Sequence, residues 1–234
     1  MAKVFLMAGT GSDDDYLRRS FGPAVTAAGG ELIALPPTAR LIEDYRDRLD
    51  AAAAAGPRII VGGVSIGAVV GLTWALDRGP EVCAGVLAAL PPWSGPVGDS
   101  LAGLSARLTA QAIDDNGLEP TLAHLAVTSP AWLAAELSRS WRNLVGRDLV
   151  GQLRLAASVT APTVAQIAGL EVPLAIVGAP DDPLHPIEVA RSWAAAAPRG
   201  ALTELPLTTW GPAEELLGEA CLASWRRLTG TGLG

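Results

Sequence analysis

The feature that most constrains the fold of this chain is the alternation of short apolar runs with longer segments of helical periodicity. Strands that alternate with helices are typical of parallel βαβ units, and continuous apolar strands indicate a sheet covered on both faces. We therefore predict a mostly parallel α/β sheet of about six strands, flanked by helices. The predicted strands are 4–7, 31–35, 58–61, 82–88, 172–177 and 201–205.

This alternation stops after the fourth predicted strand. Residues 98–168 have helical patterns and no convincing strand, so we predict a helical cap insertion there that lies over the carboxyl ends of the strands. The core would then consist of residues 1–97 and 169–234. Three tryptophans lie at the edge of the insertion or within it, and they either pack it against the core or line an apolar pocket: Trp93, Trp132 and Trp141.

Charge and composition restrict the partners of the chain. The formal net charge is -7 and Lys3 is the only lysine, which argues against a nucleic-acid partner. Cys83 and Cys221 lie far apart and predict buried free thiols. The apolar run near residue 5 is too short for a membrane span or a signal-peptide core. We expect a cytoplasmic monomer or homodimer that has no membrane or nucleic-acid partner and no cofactor.

A glycine-flanked serine follows the third predicted strand. The stretch IIVGGVSIGAVVG, residues 59–71, places Ser65 between a β-branched run and a segment that suits a helix. Gly63 to Gly67 fits G-x-S-x-G, the pattern of a strained strand–helix turn that exposes a nucleophilic serine. Such a serine needs a base, usually a histidine that a third group orients.

At this point the chain resembles the α/β-hydrolase family. The resemblance rests on residues 63–67, on the glycine-rich loop 8–13 and on GAPDDPLHP at 178–186. It implies Ser65 as nucleophile and an oxyanion hole formed by the N–H of Ile66 and one from the loop that contains Gly9 and Thr10.

The resemblance also implies that the triad acid follows the fifth strand. Asp182 directly precedes the proline of the family pattern, while the spacing of Asp181 from Gly178 fits as well. One of the two aspartates could instead cap the helix that begins near Pro186.

The chain departs from the family pattern after its last strand, where the family carries its histidine. Trp210 stands there, and an indole has no basic nitrogen at neutral pH. Two histidines remain: His185, three residues after Asp182, and His124 in the insertion. Neither is at a family position, so we expect Ser65 to have no well-formed histidine base. Trp210 is predicted to be a pocket wall, with His124 also a pocket candidate. The two histidines lack the spacing of a metal site.

Two functions follow from these residues. The first is an enzyme that acts on an ester, thioester or lactone of a small apolar molecule through an unusual site of Ser65, Asp182 and His185. The second is a non-hydrolytic protein of the same fold, which binds an apolar ligand and promotes a cyclisation, elimination or similar step without a serine nucleophile. Trp210 favours the second function, and the pairing of Asp182 with His185 favours the first.

Overall fold

A six-stranded sheet forms the centre of the computed structural model, which describes residues 1–233. All five strand pairings are parallel, and the strand order is β2-β1-β3-β4-β5-β6. The predicted parallel α/β sheet is therefore confirmed. The strands are β1 Ala2–Met7, β2 Gly30–Leu35, β3 Ile59–Val64, β4 Cys83–Ala89, β5 Leu174–Gly178 and β6 Gly200–Glu204.

Eleven α-helices within residues 1–233 connect and cover these strands. Helices that follow strands carry the chain back across the sheet, as parallel pairing requires. The helices are α1 Asp14–Ala27, α2 Leu41–Ala54, α3 Ile66–Arg78, α4 Leu101–Asn116, α5 Leu118–Thr128, α6 Ala131–Leu144, α7 Leu149–Ala156, α8 Val164–Ile167, α9 Ile187–Ala196, α10 Leu207–Trp210 and α11 Glu215–Thr229. None of the helices in this part of the chain is long and apolar enough to cross a membrane.

Strand β3 continues three residues further than the sequence predicts, through both glycines to Val64. A Cβ atom on Gly62 would collide with the backbone of Leu87 in β4, and one on Gly63 would collide with the carbonyl of Met7 in β1. The glycines therefore let β3 lie tightly between its two neighbours. This close packing fixes the position at which the chain leaves the sheet towards Ser65.

Large buried side chains cover both faces of the sheet. One face packs against an apolar cluster that includes Trp74 and Trp193, and the other packs against a cluster that includes Phe21 and Trp225. Trp74, Trp193 and Phe21 are fully buried. Each such side chain stabilises the fold by about 2–3 kcal/mol through the hydrophobic effect. The sheet is therefore a rigid support for the loops at its carboxyl edge.

Helices α4 to α7 lie in the interval between β4 and β5 for which the sequence predicts helices. They have a small apolar core of their own, which includes Leu122, Trp141 and Leu153. A separate cap domain of residues 98–168 stays a prediction.

Asp13, a buried residue in the loop between β1 and α1, binds this loop to α6. Its carboxylate accepts two hydrogen bonds from Arg139, at 2.7 and 2.9 Å, and one from Asn143 at 2.9 Å. It also caps α1 by accepting from the N–H of Tyr16. Burial raises the pKa of Asp13, but the hydrogen bonds from Arg139, Asn143 and Tyr16 outweigh it and lower the pKa to about 2. The first loop and α6 are thus held together by an ionised carboxylate.

The Asp13 carboxylate should make stability depend on pH in the acid range. Because its folded pKa of about 2 lies below the ordinary value of 3.8, its contribution of about 2 kcal/mol is complete above pH 4 and disappears as the pH falls towards 2. We expect Asp13→Asn to unfold at lower denaturant concentration at pH 7 and to lose part of the stability decrease between pH 4 and 2. Urea titrations at several pH values measure this. Asp99→Asn at an exposed position is the control, and equal pH dependence in all three proteins would contradict the prediction.

Candidate active site

Ser65 occupies a strained turn between β3 and α3. Its backbone angles are φ 53° and ψ -113°, in a region that non-glycine residues rarely adopt. Its N–H donates to the carbonyl of Ala89 at 2.9 Å, which ties the turn to the end of β4. A Cβ atom on Gly67 would collide with the carbonyl of Met7, so only glycine lets α3 begin this close to β1. The glycines of the predicted pattern are therefore needed because side chains there would collide with β1.

The loop after β5 holds Asp182 in a fixed orientation. One carboxylate oxygen accepts from the backbone N–H groups of Leu184 and His185, at 2.9 and 3.3 Å. The other lies 2.7 Å from Nδ1 of His185. Burial raises the pKa of Asp182, but the hydrogen bond and charge of His185 and these N–H groups outweigh it, and the pKa is lowered. Asp182 is therefore an ionised, acceptor-only partner for the imidazole.

His185 connects this aspartate to the serine. Its Nε2 lies 3.0 Å from Oγ of Ser65. Because a carboxylate can only accept, the hydrogen bond to Asp182 places the imidazole proton on Nδ1 and leaves Nε2 free to accept from the serine hydroxyl. The expectation that Ser65 has no well-formed histidine partner is therefore wrong. His185 supplies the contact from the loop after β5.

Strand spacing explains why His185 can reach Ser65. Ser65 follows β3 and Asp182 follows β5, with β4 between them. Two strand spacings amount to about 10 Å, too far for a direct contact between the two side chains. The imidazole bridges this gap, and Pro186, the next residue, is the N-cap of α9. The residue before a proline favours an extended backbone.

The proposed oxyanion-hole residues lie beside Ser65. An ideal Cβ atom on Gly9 would be 3.5 Å from the Cβ atom of Ser65, and both Gly9 and Thr10 line the cavity described below. Ile66 is the first residue of α3, and the side chain of Ser65 does not cap this helix. Backbone N–H groups in the first turn of a helix have no intrahelical acceptor, so the N–H of Ile66 is suited to stabilise a developing negative charge.

Asp181 has a different task from its neighbour. Its carboxylate accepts from the N–H groups of Leu207 and Thr208 and from the hydroxyl of Thr208. It thereby holds the start of α10, the short helix that ends at Trp210. Of the two aspartates, Asp182 therefore contacts His185, and Asp181 positions α10.

A largely apolar cavity of about 490 Å³ adjoins Ser65. Residues from the ends of β3 and β4, from the loop after β5 and from α4, α6 and α10 line it. The tryptophans that the sequence analysis selects are all in its wall: Trp93, Trp132, Trp141 and Trp210. The rings of Trp132 and Trp210 have centroids 5.9 Å apart and are inclined by 60°, so α6 and α10 meet at this wall.

His124 does not line this cavity, which corrects its assignment as a pocket residue. It lies on the exposed face of α5, while Leu122 on the same helix is buried. Two residues correspond to about 200° around a helix. Because Leu122 packs inward, His124 faces away from the cavity on the opposite side of α5. Among residues 1–233, no three His, Cys, Asp or Glu side chains form a group that could hold a metal ion.

Comparisons with known proteins show similarity at the level of structure. An esterase from Rhodococcus sp. ECU1013 matches 99% of this chain and 91% of its own, with a TM-score of 0.72 and 15% identity. A hydrolase from Oleispira antarctica matches 91% and 89%, with a TM-score of 0.68 and 16% identity. MenH from S. aureus matches 97% and 94%, with a TM-score of 0.69 and 14% identity. No protein-family model and no curated protein sequence matches the chain. At these identities, the likeness shows the fold.

Proposed function

We propose that this chain, which has the α/β-hydrolase fold, is a serine hydrolase for an ester, thioester or lactone of a small apolar molecule. The observation that carries the proposal is the line of contacts from Ser65 through His185 to Asp182, with distances of 3.0 and 2.7 Å. These are hydrogen-bond distances between a nucleophile, a base and an orienting acid. Fold alone would not support an activity.

In the proposed reaction, Oγ of Ser65 attacks the substrate carbonyl carbon while Nε2 of His185 takes the hydroxyl proton. Asp182 stabilises the imidazolium that forms. The N–H groups of Ile66 and Thr10 donate to the tetrahedral oxyanion, and each such donor contributes about 3 kcal/mol. His185 then gives its proton to the leaving group as the carbonyl re-forms. A water molecule hydrolyses the acyl–serine ester by the same steps.

The cavity supports an apolar substrate. Its wall contains four tryptophans. Two acidic residues, Glu136 and Asp182, line it, and no lysine or arginine is among its described lining residues. A volume of about 490 Å³ is suited to a small organic molecule. We propose that residues 98–168 act as a cap that supplies the upper part of this wall.

The alternative is a non-hydrolytic protein of the same fold. Its main support in the sequence is Trp210, which replaces the expected histidine. The contacts of His185 weaken that support, because they provide a base from another loop. An unreactive Ser65 together with binding of apolar ligands in the cavity would favour the non-hydrolytic alternative.

Reaction of Ser65 with a fluorophosphonate probe tests the proposal. We expect labelling of the native protein and of His124→Ala, and no labelling of Ser65→Ala. Peptide mapping should locate the phosphonate on Ser65. Because His185 must take the hydroxyl proton, His185→Ala should label far more slowly than His124→Ala, although both variants lose one histidine. Equal labelling of Ser65→Ala and native protein would overturn the assignment of Ser65.

A further inference from the structure

Helix α4 contributes one of its faces to the wall of the cavity beside Ser65. Residues three or four positions apart on this helix line the cavity: Ala102, Ser105, Ala106 and Thr109. Such spacing places side chains on the same side of a helix. Another side of α4 carries exposed leucines: Leu101, Leu104 and Leu108. The cavity face of α4 therefore combines two alanines with two hydroxyl-bearing side chains.

The hydroxyl groups of Ser105 and Thr109 are not used by the protein. Serine and threonine in a helix commonly donate to the carbonyl four residues earlier. Five hydroxyls of this chain do so at 2.7 to 3.0 Å, those of Ser20, Thr73, Thr121, Thr128 and Thr229. Within residues 1–233, Ser105 and Thr109 make neither this bond nor another through their side chains. The side-chain hydrogen bonds of α4 come from other residues, among them Arg107, Gln111 and Asn116.

Both hydroxyl oxygens are accessible. Ser105 and Thr109 are half-buried and not enclosed. In the described part of the chain, the fully buried side-chain nitrogen and oxygen atoms without a partner belong to other residues: Ser12, Tyr45, Trp141 and Trp210. The oxygens of Ser105 and Thr109 therefore keep accessible surface. A ligand in the cavity can contact them, because both side chains belong to its wall.

The two hydroxyls are close enough to bind the same group. Residues four positions apart on a helix have Cβ atoms about 5–6 Å apart. This spacing is about twice the usual O–H···O distance of about 2.8 Å, so one oxygen atom between the two side chains can bond to both. Because a hydroxyl both donates and accepts, a hydroxyl of the ligand can accept from one residue and donate to the other.

We infer that Ser105 and Thr109 bind a neutral hydroxyl group of the substrate, apart from the carbonyl that Ser65 attacks. This inference rests on the proposed function. An unsubstituted apolar chain that fills the cavity displaces water from both hydroxyls and leaves them unpaired, which is unfavourable. A hydroxylated chain replaces the lost water contacts. The preferred substrate is therefore an ester, thioester or lactone that carries an additional hydroxyl on an otherwise apolar chain.

The charges around the cavity favour a neutral hydroxyl over a carboxylate. Glu136 and Asp182 both line it. Arg19 and Arg139 donate to the carboxylate of Glu136, at 2.6 Å each, but neither arginine belongs to the cavity wall. An anionic substrate group would therefore enter an apolar site without a cationic partner, which is strongly unfavourable.

Matched ester pairs test this inference in native protein. The pairs are ethyl hexanoate with its 3-hydroxy and 6-hydroxy derivatives, and butyl hexanoate with 4-hydroxybutyl hexanoate. Monoethyl adipate is the anionic probe. Titration of the released proton gives kcat/KM, which is divided by the rate constant of hydroxide hydrolysis of the same ester. We expect at least one hydroxylated ester to exceed its parent about tenfold and monoethyl adipate to be the poorest substrate. The absence of any such excess, or a preference for monoethyl adipate, would overturn the inference.

Removal of the two hydroxyls shows whether they cause this preference. We expect the combined variant Ser105→Ala and Thr109→Val to lower the ratio of the hydroxylated ester to its parent about tenfold. Ser138→Ala on α6 is the control, because its hydroxyl is also half-buried and without a partner in residues 1–233 but does not line the cavity. A purely structural effect would lower both esters alike. An unchanged ratio in the combined variant would mean that water alone satisfies the hydroxyls, and the inference would be wrong.

Binding to Ser65→Ala protein separates this inference from the proposed function. Four tryptophans line the cavity, so their fluorescence reports the Kd of each ester. We expect at least one hydroxylated ester to bind about tenfold more tightly than its parent, and this advantage to disappear when Ser105→Ala and Thr109→Val are added. This result with no ester turnover in native protein would refute the hydrolase and keep the hydroxyl site. Ester turnover with equal rates and equal affinities within each pair would do the reverse.

Discussion

Replacing His185 with alanine is expected to lower kcat for an ester substrate by about a million-fold, whereas His124→Ala is expected to change it less than twofold. The reason is the 3.0 Å contact between Nε2 of His185 and Oγ of Ser65. Without a base, the hydroxyl keeps its proton, and the oxyanion hole and substrate binding alone remain. Steady-state hydrolysis of p-nitrophenyl hexanoate measures both variants against native protein.

The two histidine variants form a matched pair, because His124 is the only other histidine and lies exposed on α5. Thermal unfolding of both variants checks that a loss of activity is not a loss of fold. If His185→Ala is folded and retains more than about a thousandth of the native kcat, the histidine is not the base and the proposed mechanism fails.

Replacing Asp182 with asparagine is expected to lower kcat by about ten thousand-fold. The carboxylate accepts the Nδ1 proton of His185 at 2.7 Å. An asparagine amide that donates to Nδ1 instead would favour the tautomer with its proton on Nε2. Nε2 could then no longer accept the proton of Ser65, although all three side chains would remain in place. Single-turnover acylation measured by p-nitrophenol release reports this step directly.

Asp181→Asn is the control for the preceding variant, since it changes the adjacent carboxylate in the same way. Asp181 contacts the start of α10 and not His185. We expect a change of less than about tenfold in kcat, with any larger effect on KM, because α10 carries a wall of the cavity. A greater loss of acylation rate in Asp181→Asn than in Asp182→Asn would reverse the roles assigned to the two aspartates.

The sheet could be predicted from local patterns because each strand and each following helix has its own apolar periodicity. The turn at Ser65 could also be predicted, since Gly63 and Gly67 are required by backbone contacts with β1 and leave a readable spacing. Strand β3 was predicted too short, because glycines are poor strand formers and the two in β3 are explained only by the neighbouring backbones.

The contact between His185 and Ser65 could not be predicted with the same security. It joins residues 120 positions apart and depends on the strand order, which places β4 alone between the two loops. The family pattern pointed to the loop after β6, where Trp210 stands. The exposure of His124 depends in the same way on how α5 packs. A lone histidine among apolar residues in the sequence does not show which face of the helix is buried.

Asp182 and His185 come from one four-residue segment, whereas α10 contributes Leu207 and Trp210 to the cavity wall from another. In the family pattern, the loop after the last strand is constrained by its histidine. Here that loop carries α10, in which Thr208 donates hydrogen bonds to Asp181, the residue before Asp182. Combinatorial libraries at positions 207 and 210, which line the cavity, could therefore alter which acyl groups are accepted without changing Ser65, Asp182 or His185. For directed evolution of the proposed hydrolase, selectivity could then be searched at little risk to turnover.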